Sequence, residues 1–209
     1  EANPGNTVAA ESKSSYELHD LQSALAGFSE MIDHRKHGVR LPDSEFGACL
    51  ISLTGTQYKL TMILYLDTSV LSAPFDTRNP ERLEITREFF AARSSDRLLV
   101  SDLTLAEIAA TPNEGLRRAM GEMAESYETV AVVADADRLA SWYIESGAVV
   151  AAFSADAYHI AIAMTCGADM LVSWNFRHVV RRKTRDVVNM VNTMHGYPHI
   201  EIVAPGELL

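Results

Sequence analysis

Four polar residues are each expected to stand where an apolar strand gives way to a loop or a helix start. They are Asp67 after residues 62–66, Glu107 at the end of 101–107, Asp156 within 154–159, and Asn175 after 170–174. In a parallel α/β sheet, ligands bind outside the carboxyl ends of the strands, so residues far apart in sequence can meet at one sheet edge. Three carboxylates and an amide gathered there would form an oxygen-rich site suited to Mg²⁺ or Mn²⁺ and not to zinc. Such a site does metal-assisted chemistry on a phosphate.

Each of these residues also has a simpler reading. Asp67, in Asp67-Thr68-Ser69, can cap the following helix, with Ser69 or Thr68 supporting the turn while Asp67 faces the cleft. Glu107 lies in a largely apolar run, 103–110, where a buried ionised carboxylate needs a partner that a bound cation would supply. Its neighbour Asp102 reads as the cap of that helix. Asp156 falls in a first helical turn, where its charge complements the positive end of the macrodipole. His159 shares its face three residues on and is a candidate to orient Asp156 or touch a phosphate. Asn175 alone would be a turn residue. An apo cluster of three ionised carboxylates is strained by repulsion, so neutralising any one of them is expected to leave stability unchanged or raise it.

The elements that must position these residues begin at Met62. Residues 62–66 read as a buried strand, 80–93 as a helix with Leu83, Phe89 and Phe90 turned inward, and 98–101 as a second strand. A helix over 103–110 follows, then another from Pro112 to about Tyr127, Pro being favoured at a first helical position. Residues 129–133 are strand-like, 135–146 helical to Gly147, and 155–166 helical to Gly167. A strand over 170–173, a helix over 183–194 and a short strand over 200–203 complete the pattern. Alternating strands and helices imply a mainly parallel sheet covered on both faces.

The first 61 residues open on a turn-rich stretch and offer one modest amphipathic helix, with Leu18, Leu21, Leu25, Phe28 and Ile32 at three- and four-residue steps. They carry no recognisable chemistry, so the chain is expected to divide into an extension, 1–61, and a domain, 62–209. Its 209 residues carry a formal charge of −10, which argues against a broad electrostatic footprint for nucleic acid but not a local one. Arg177, His178, Arg181, Arg182, Lys183 and Arg185 crowd the stretch after Asn175. Either they are a solvated helix face or, being next to the candidate site, they contact phosphate. No run of about 18 uncharged apolar residues occurs, so no membrane span is expected. Two cysteines, Cys49 and Cys166, make no disulfide framework, and Cys166 reads as a small core residue. A reducing, cytoplasmic location is expected.

Taken together, MILYLDTSVL (62–71), LTLAEI (103–108), DAYHIA (156–161) and LVSWNFRH (171–178) resemble, in order and spacing, the PIN-domain nucleases. The closing Val188-Asn189-Met190-Val191-Asn192, Gly196-Tyr197, Ile200-Glu201-Ile202 and Pro205 look like the VapC-like branch, the toxins of toxin–antitoxin pairs. The resemblance spans 62–209 and none of 1–61. It implies a three-layer α/β/α PIN-like fold and a Mg²⁺- or Mn²⁺-dependent endoribonuclease leaving 5′-phosphate and 3′-hydroxyl ends. The family's catalytic and metal-binding acids carry over onto Asp67, Glu107 and Asp156, and Ser69 matches the hydroxyl that supports the first acid. The usual fourth acid falls on Asn175, which keeps an oxygen ligand but loses a charge. Arg177, Arg181 and Arg182 become candidates to hold the RNA backbone. Partners implied are an RNA substrate, a cognate antitoxin and a second copy in a homodimer. The competing expectation is a regulatory RNA- or protein-binding module with little hydrolytic activity. A phosphotransfer receiver would want an adjacent acidic pair near the first strand and a lysine after a later one, and neither is evident.

Overall fold

The computed structural model describes residues 61–209. The helix expected over 16–32, and the extension containing it, lie outside the described residues. Five strands form one sheet in the order β3-β2-β1-β4-β5: β1 (Ile63–Leu66), β2 (Arg97–Ser101), β3 (Glu128–Val130), β4 (Met170–Val172) and β5 (Glu201–Val203). Every pairing is parallel, with Tyr65 level with Leu99 on one side and Leu171 on the other. β1 is therefore central, as its unbroken apolar sequence requires of a strand buried on both faces.

The order of strands decides where the helices go. From β1 the chain steps outward to β2 and β3, then returns across β1 to β4 and β5. Right-handed crossovers in opposite directions deposit helices on opposite faces. On one face α1 (Thr68–Ser72), α3 (Asp102–Ala109) and α4 (Glu114–Ala124) pack together. There α2 (Pro80–Ala92) packs on short 3₁₀ turns at Ala73–Phe75 and Pro205–Leu208. A second group contains α5 (Ala134–Glu145), which packs on both α6 (Ser154–Thr165) and α7 (Arg182–Met194). The first layer shares a core with Leu64, Leu66, Val100, Val172 and Val203. Strand alternation turns the buried Tyr65, Leu99, Leu171 and Ile202 toward the other layer. The three-layer α/β/α expectation is met.

Several boundaries differ from the sequence reading, each for a local reason. Ser101, not Asp102, caps α3: its hydroxyl accepts from the Thr104 amide while the Thr104 hydroxyl accepts from the Ser101 amide. This reciprocal box stabilises a helix start by about 1 kcal/mol. α4 begins at Glu114, because Asn113 takes the capping role by accepting from the Leu116 amide at 2.9 Å, and Pro112 stays outside. α1, at five residues, is too short to show a period and is signalled in the sequence only by its Asp67 cap. Gly147 and Gly167 do end their helices, at φ of 71° and 73°, where a Cβ would be strained. Phe90 and Cys166 are only half-buried, so Cys166 is not a core residue proper. Among the described residues no helix is long and apolar enough to cross a membrane.

Candidate active site

The strand order reverses at β1, so a crevice opens beyond the carboxyl ends of β1 and β4, the place where ligands bind in open α/β sheets. Asp67 is the first residue past β1, and its amide extends the ladder by donating to the Val172 carbonyl at 3.2 Å. It is only 5% exposed. Its Oδ1 accepts from the Ser69 amide at 2.7 Å and from the Ser69 hydroxyl, and its Oδ2 accepts from the Ser173 hydroxyl. Asp67 is thus the cap of α1 and a member of the cleft at once. Ser69 supports it as expected. Ser173 was not singled out, because a serine closing a strand has no periodic signature.

Glu107 reaches the same cleft from α3. Its Oε2 accepts from the Thr68 hydroxyl and lies 3.0 Å from His159 Nε2. The partner that this carboxylate needs is therefore a histidine and a threonine. Burial raises the Glu107 carboxyl, but the His159 charge and the hydrogen bonds from His159 and Thr68 outweigh it and hold the group below its ordinary value. The reverse holds for His159. Burial disfavours its charge, yet the Tyr65 oxygen and the Glu107 and Asp67 carboxylates raise it well above the usual imidazole range. Nε2 lies 3.0 Å from Glu107 Oε2 and Nδ1 2.8 Å from Tyr65 Oη, so a doubly protonated ring would donate to both. Tyr65 in turn lies 2.7 Å from the Ser101 hydroxyl, which also belongs to the α3 capping box.

His159 is 3% exposed and holds Glu107 from within, both ring nitrogens being engaged by Glu107 and Tyr65. The sequence reading placed it beside Asp156 because three residues along a helix share a face. The bond to Glu107 arises from packing between α6 and α3, which helix periodicity does not reveal. Tyr65 had one legible signal: a lone tyrosine in a buried apolar strand must find a partner for its hydroxyl.

Asp156 stands in the first turn of α6. Its Oδ1 accepts from Asn175 Nδ2 at 3.0 Å. Its carboxyl is raised to about 6, by burial first and then by the negative charges of Asp67 and Glu107, against the opposing pull of His159 and the Asn175 hydrogen bond. The three acids therefore sense one another across the crevice. Asn175 completes the arrangement differently from the expected ligand role. Its amide donates to Asp156, and its Oδ1 accepts from the His178 amide at 3.0 Å, closing the turn after β4.

The basic stretch follows this turn. Arg177 is exposed, Arg181 donates from Nη1 to the Arg177 carbonyl at 3.2 Å, and Arg182 lies 3.5 Å from Asp186 with its side chain 95% exposed. His178 stacks on Phe153 at 3.9 Å between ring centroids. Arg82 of α2 donates from Nη2 to the Ser69 carbonyl at 2.8 Å, although it lies outside every stretch that the sequence reading associated with the site.

The donor set fits a hard divalent cation in type and charge. Glu107 Oε1 and Asp156 Oδ2 have no hydrogen-bond partner among the described residues, and the mutual repulsion felt at Asp156 is what a cation would relieve. Among the described residues no three His, Cys, Asp or Glu side chains are drawn together tightly enough to hold an ion as they stand.

No family model matches the chain, and no curated protein matches it. Solved structures do. The VapBC2 structure from Rickettsia felis, bound to a DNA fragment from its promoter, is similar over 68% of this chain and 98% of that one, at 14% identity and a TM-score of 0.44. VapC20 of Mycobacterium tuberculosis, a toxin that cleaves the sarcin–ricin loop, is similar over 55% of this chain and 92% of its own, at 17% identity and a TM-score of 0.44.

Proposed function

We propose that residues 62–209 form a PIN-like, Mg²⁺- or Mn²⁺-dependent endoribonuclease that acts as the toxin of a toxin–antitoxin pair in the cytoplasm. One observation carries the reading: hydrogen bonds link Asp67, Glu107 and Asp156 from three separate segments, Thr68 beside Asp67 donating to Glu107 while Ser173 donates to Asp67 and accepts from the amide of Asn175, whose side chain donates to Asp156. When bound, a divalent cation would neutralise charge on the scissile phosphodiester and make a water acidic enough to attack it. Asp67, Glu107 and Asp156 are the residues that would hold it, with Asn175 steering Asp156 through its amide.

The rest of the machinery is the chain's own. Ser69 and Ser173 fix both oxygens of Asp67, and Thr68 and His159 fix one oxygen of Glu107, so these carboxylates are oriented before any ligand arrives. Arg177, Arg181 and Arg182 would hold the RNA backbone on the β4 side. An antitoxin and a second copy of the chain complete the partners. An antitoxin arginine placed among the three acids would satisfy the charges that the cation otherwise satisfies.

The test is hydrolysis of a single-stranded RNA with Mg²⁺ or Mn²⁺ titrated from zero, the ends of the products being sequenced. Metal-dependent cleavage leaving 5′-phosphate ends, lost in the triple variant Asp67→Asn, Glu107→Gln, Asp156→Asn, supports the reading. Cleavage by the triple variant at the wild-type rate refutes it. A second reading, a PIN-like module that binds RNA or protein without hydrolysing it, is favoured by the internal partners that Asp67 and Glu107 already have. RNA binding without cleavage at any metal concentration would select it.

A further inference from the structure

We infer that Phe176 and Trp174 form a stacking site for one unpaired nucleobase of the RNA, beside the carboxylates and flanked by arginines. This rests on the endoribonuclease reading and adds to it which part of the substrate is gripped. Trp174 follows β4 and is fixed from three directions. Its amide donates to the Ser69 hydroxyl at 2.8 Å, its indole Nε1 donates to Thr86 Oγ1 at 2.9 Å, and the Arg82 guanidinium sits 5.5 Å from its ring centroid. Phe176 meets it edge-on at 5.9 Å and 62°, and is itself 56% exposed. A large ring left in water beside a rigid one is an open stacking surface and contributes little to the core.

Two shallow depressions meet at these rings. One, of about 430 Å³, runs from Ile85, Trp174 and Phe176 toward Arg182 and Arg185. The other, of about 360 Å³, runs from the same three residues toward Arg82. Aromatic surface between cations is the arrangement that holds single-stranded nucleic acid, the rings taking a base and the cations its phosphates. The one acid at the Arg185 end, Glu207, is already paired with Arg185 at 2.8 Å and accepts from the Ala204 amide. At the other end Arg82 engages only Nη2, on the Ser69 carbonyl, among the described residues, and its Nε is buried without a partner. Glu81 also lines that end, so the balance of charge there rests on Arg82.

Continuity with the carboxylates makes the occupant RNA and not a peptide. Ser69 donates to Asp67, accepts from the Trp174 amide and, through its carbonyl, accepts from Arg82. A single residue therefore ties the stacking surface to the first acid, and a base seated on Phe176 brings its adjoining phosphodiester toward Asp67.

The experiment uses the full chain carrying Trp142→Phe, which leaves Trp174 as the sole indole, since the chain has two tryptophans. A mixed-sequence single-stranded RNA 12-mer, and the same strand made abasic at every position, are titrated in EDTA so that no cleavage occurs. Intact RNA is expected to quench Trp174 emission, and Phe176→Ala to weaken its binding about tenfold while Phe176→Tyr restores it. Abasic RNA, of equal charge, should bind wild type and Phe176→Ala alike. With metal present, Phe176→Ala should raise KM more than it lowers kcat. Intact RNA that binds with Trp174 emission unchanged and with the same affinity for Phe176→Ala would assign the groove to a protein partner and overturn the stacking site alone. A wild-type chain that binds neither strand and cleaves neither overturns the endoribonuclease reading and this one with it.

Discussion

The two sides of the crevice hold their carboxylates in opposite ways. Toward β1 and β2, Asp67 and Glu107 are met by donors from inside the fold: Ser69, Ser173, Thr68 and His159, the last anchored by Tyr65 and Ser101. Toward β4, Asp156 has one neutral amide, and burial first, then the charges of Asp67 and Glu107, push its carboxyl up to about 6 against the pull of His159. The first side is pre-organised and internally neutralised, while on the second the only hydrogen-bond donor to the carboxylate among the described residues is the neutral Asn175 amide. A site built this way keeps its geometry without a ligand and concentrates its unmet charge at one group. For Asp67 and Glu107 the donors that the fold supplies predict a cost on neutralisation, opposite to the expectation from repulsion alone.

The largest effects should come from removing the carboxylate charge on either side. Asp67→Asn, Glu107→Gln and Asp156→Asn are each expected to lower RNA cleavage by on the order of a hundredfold to a thousandfold, as the loss of one pre-organised charge does at other sites. Single-turnover cleavage of a labelled strand measures this. Stability should divide the three. Asp67→Asn and Glu107→Gln remove the charged member of buried hydrogen bonds and should cost about 1–3 kcal/mol in urea unfolding. Asp156→Asn should not. Equal destabilisation by all three would erase the distinction between the sides.

His159→Ala probes the pre-organised side from behind. It leaves Glu107 and the Tyr65 hydroxyl without their partner and is expected to destabilise by about 3 kcal/mol, the scale for removing one member of a buried ion pair. The stability contributed by His159 follows from its raised folded value. It is fully present below the unfolded imidazole range near 6.5 and is lost as pH rises through the higher folded value. The wild type should therefore lose its advantage over His159→Ala on the alkaline side, read as converging urea midpoints.

Asp156 has the opposite consequence at neutral pH. Its folded carboxyl titrates at about 6 against an ordinary 3.8. The protonated form is the one that the fold prefers, so this contribution is whole below the ordinary value and lost as pH rises through 6. Asp156→Asn should match wild type near pH 4 and exceed it at pH 8 by on the order of 2 kcal/mol, discounted for partial exposure. A difference that is constant across pH would mean that burial and the neighbouring charges do not disfavour the ionised Asp156 carboxyl.

These contrasts also mark what was legible in the chain. β1, β2, β4 and the helices ended by glycines follow from apolar runs and from backbone positions that only glycine fills without strain. Asp67 and Asn175 do follow strands, whereas Glu107 lies inside α3 and Asp156 in the first turn of α6 after a 3₁₀ turn, so the strand-end expectation is corrected for those two. What escaped was lateral. The pairing of His159 with Glu107, the Ser173 bond to Asp67 and the approach of Arg82 to Ser69 join residues 52, 106 and 13 positions apart, and no local period encodes such contacts. α1 was legible only through its Asp67 cap, because a single turn has no face to repeat. The α3 cap was misassigned by one residue because Ser101 and Asp102 are both good caps, and only the Thr104 hydroxyl decides between them.

The smallest expected effect is the most specific to this chain. Asn175 Nδ2 donates to Asp156 Oδ1 at 3.0 Å, and its Oδ1 accepts from the His178 amide. Asn175→Asp keeps the acceptor for His178 but turns the donor facing Asp156 into a second carboxylate oxygen. Without metal the two acids would repel at hydrogen-bond distance, raising Asp156 further and costing about 1 kcal/mol of stability at neutral pH. With metal, the added charge should tighten Mn²⁺ binding about tenfold in calorimetric titration, because it falls on the side of the crevice where negative charge is unmet. The two effects have one cause and should appear together. Weaker stability with unchanged Mn²⁺ affinity would show that position 175 steers Asp156 but does not face the cation.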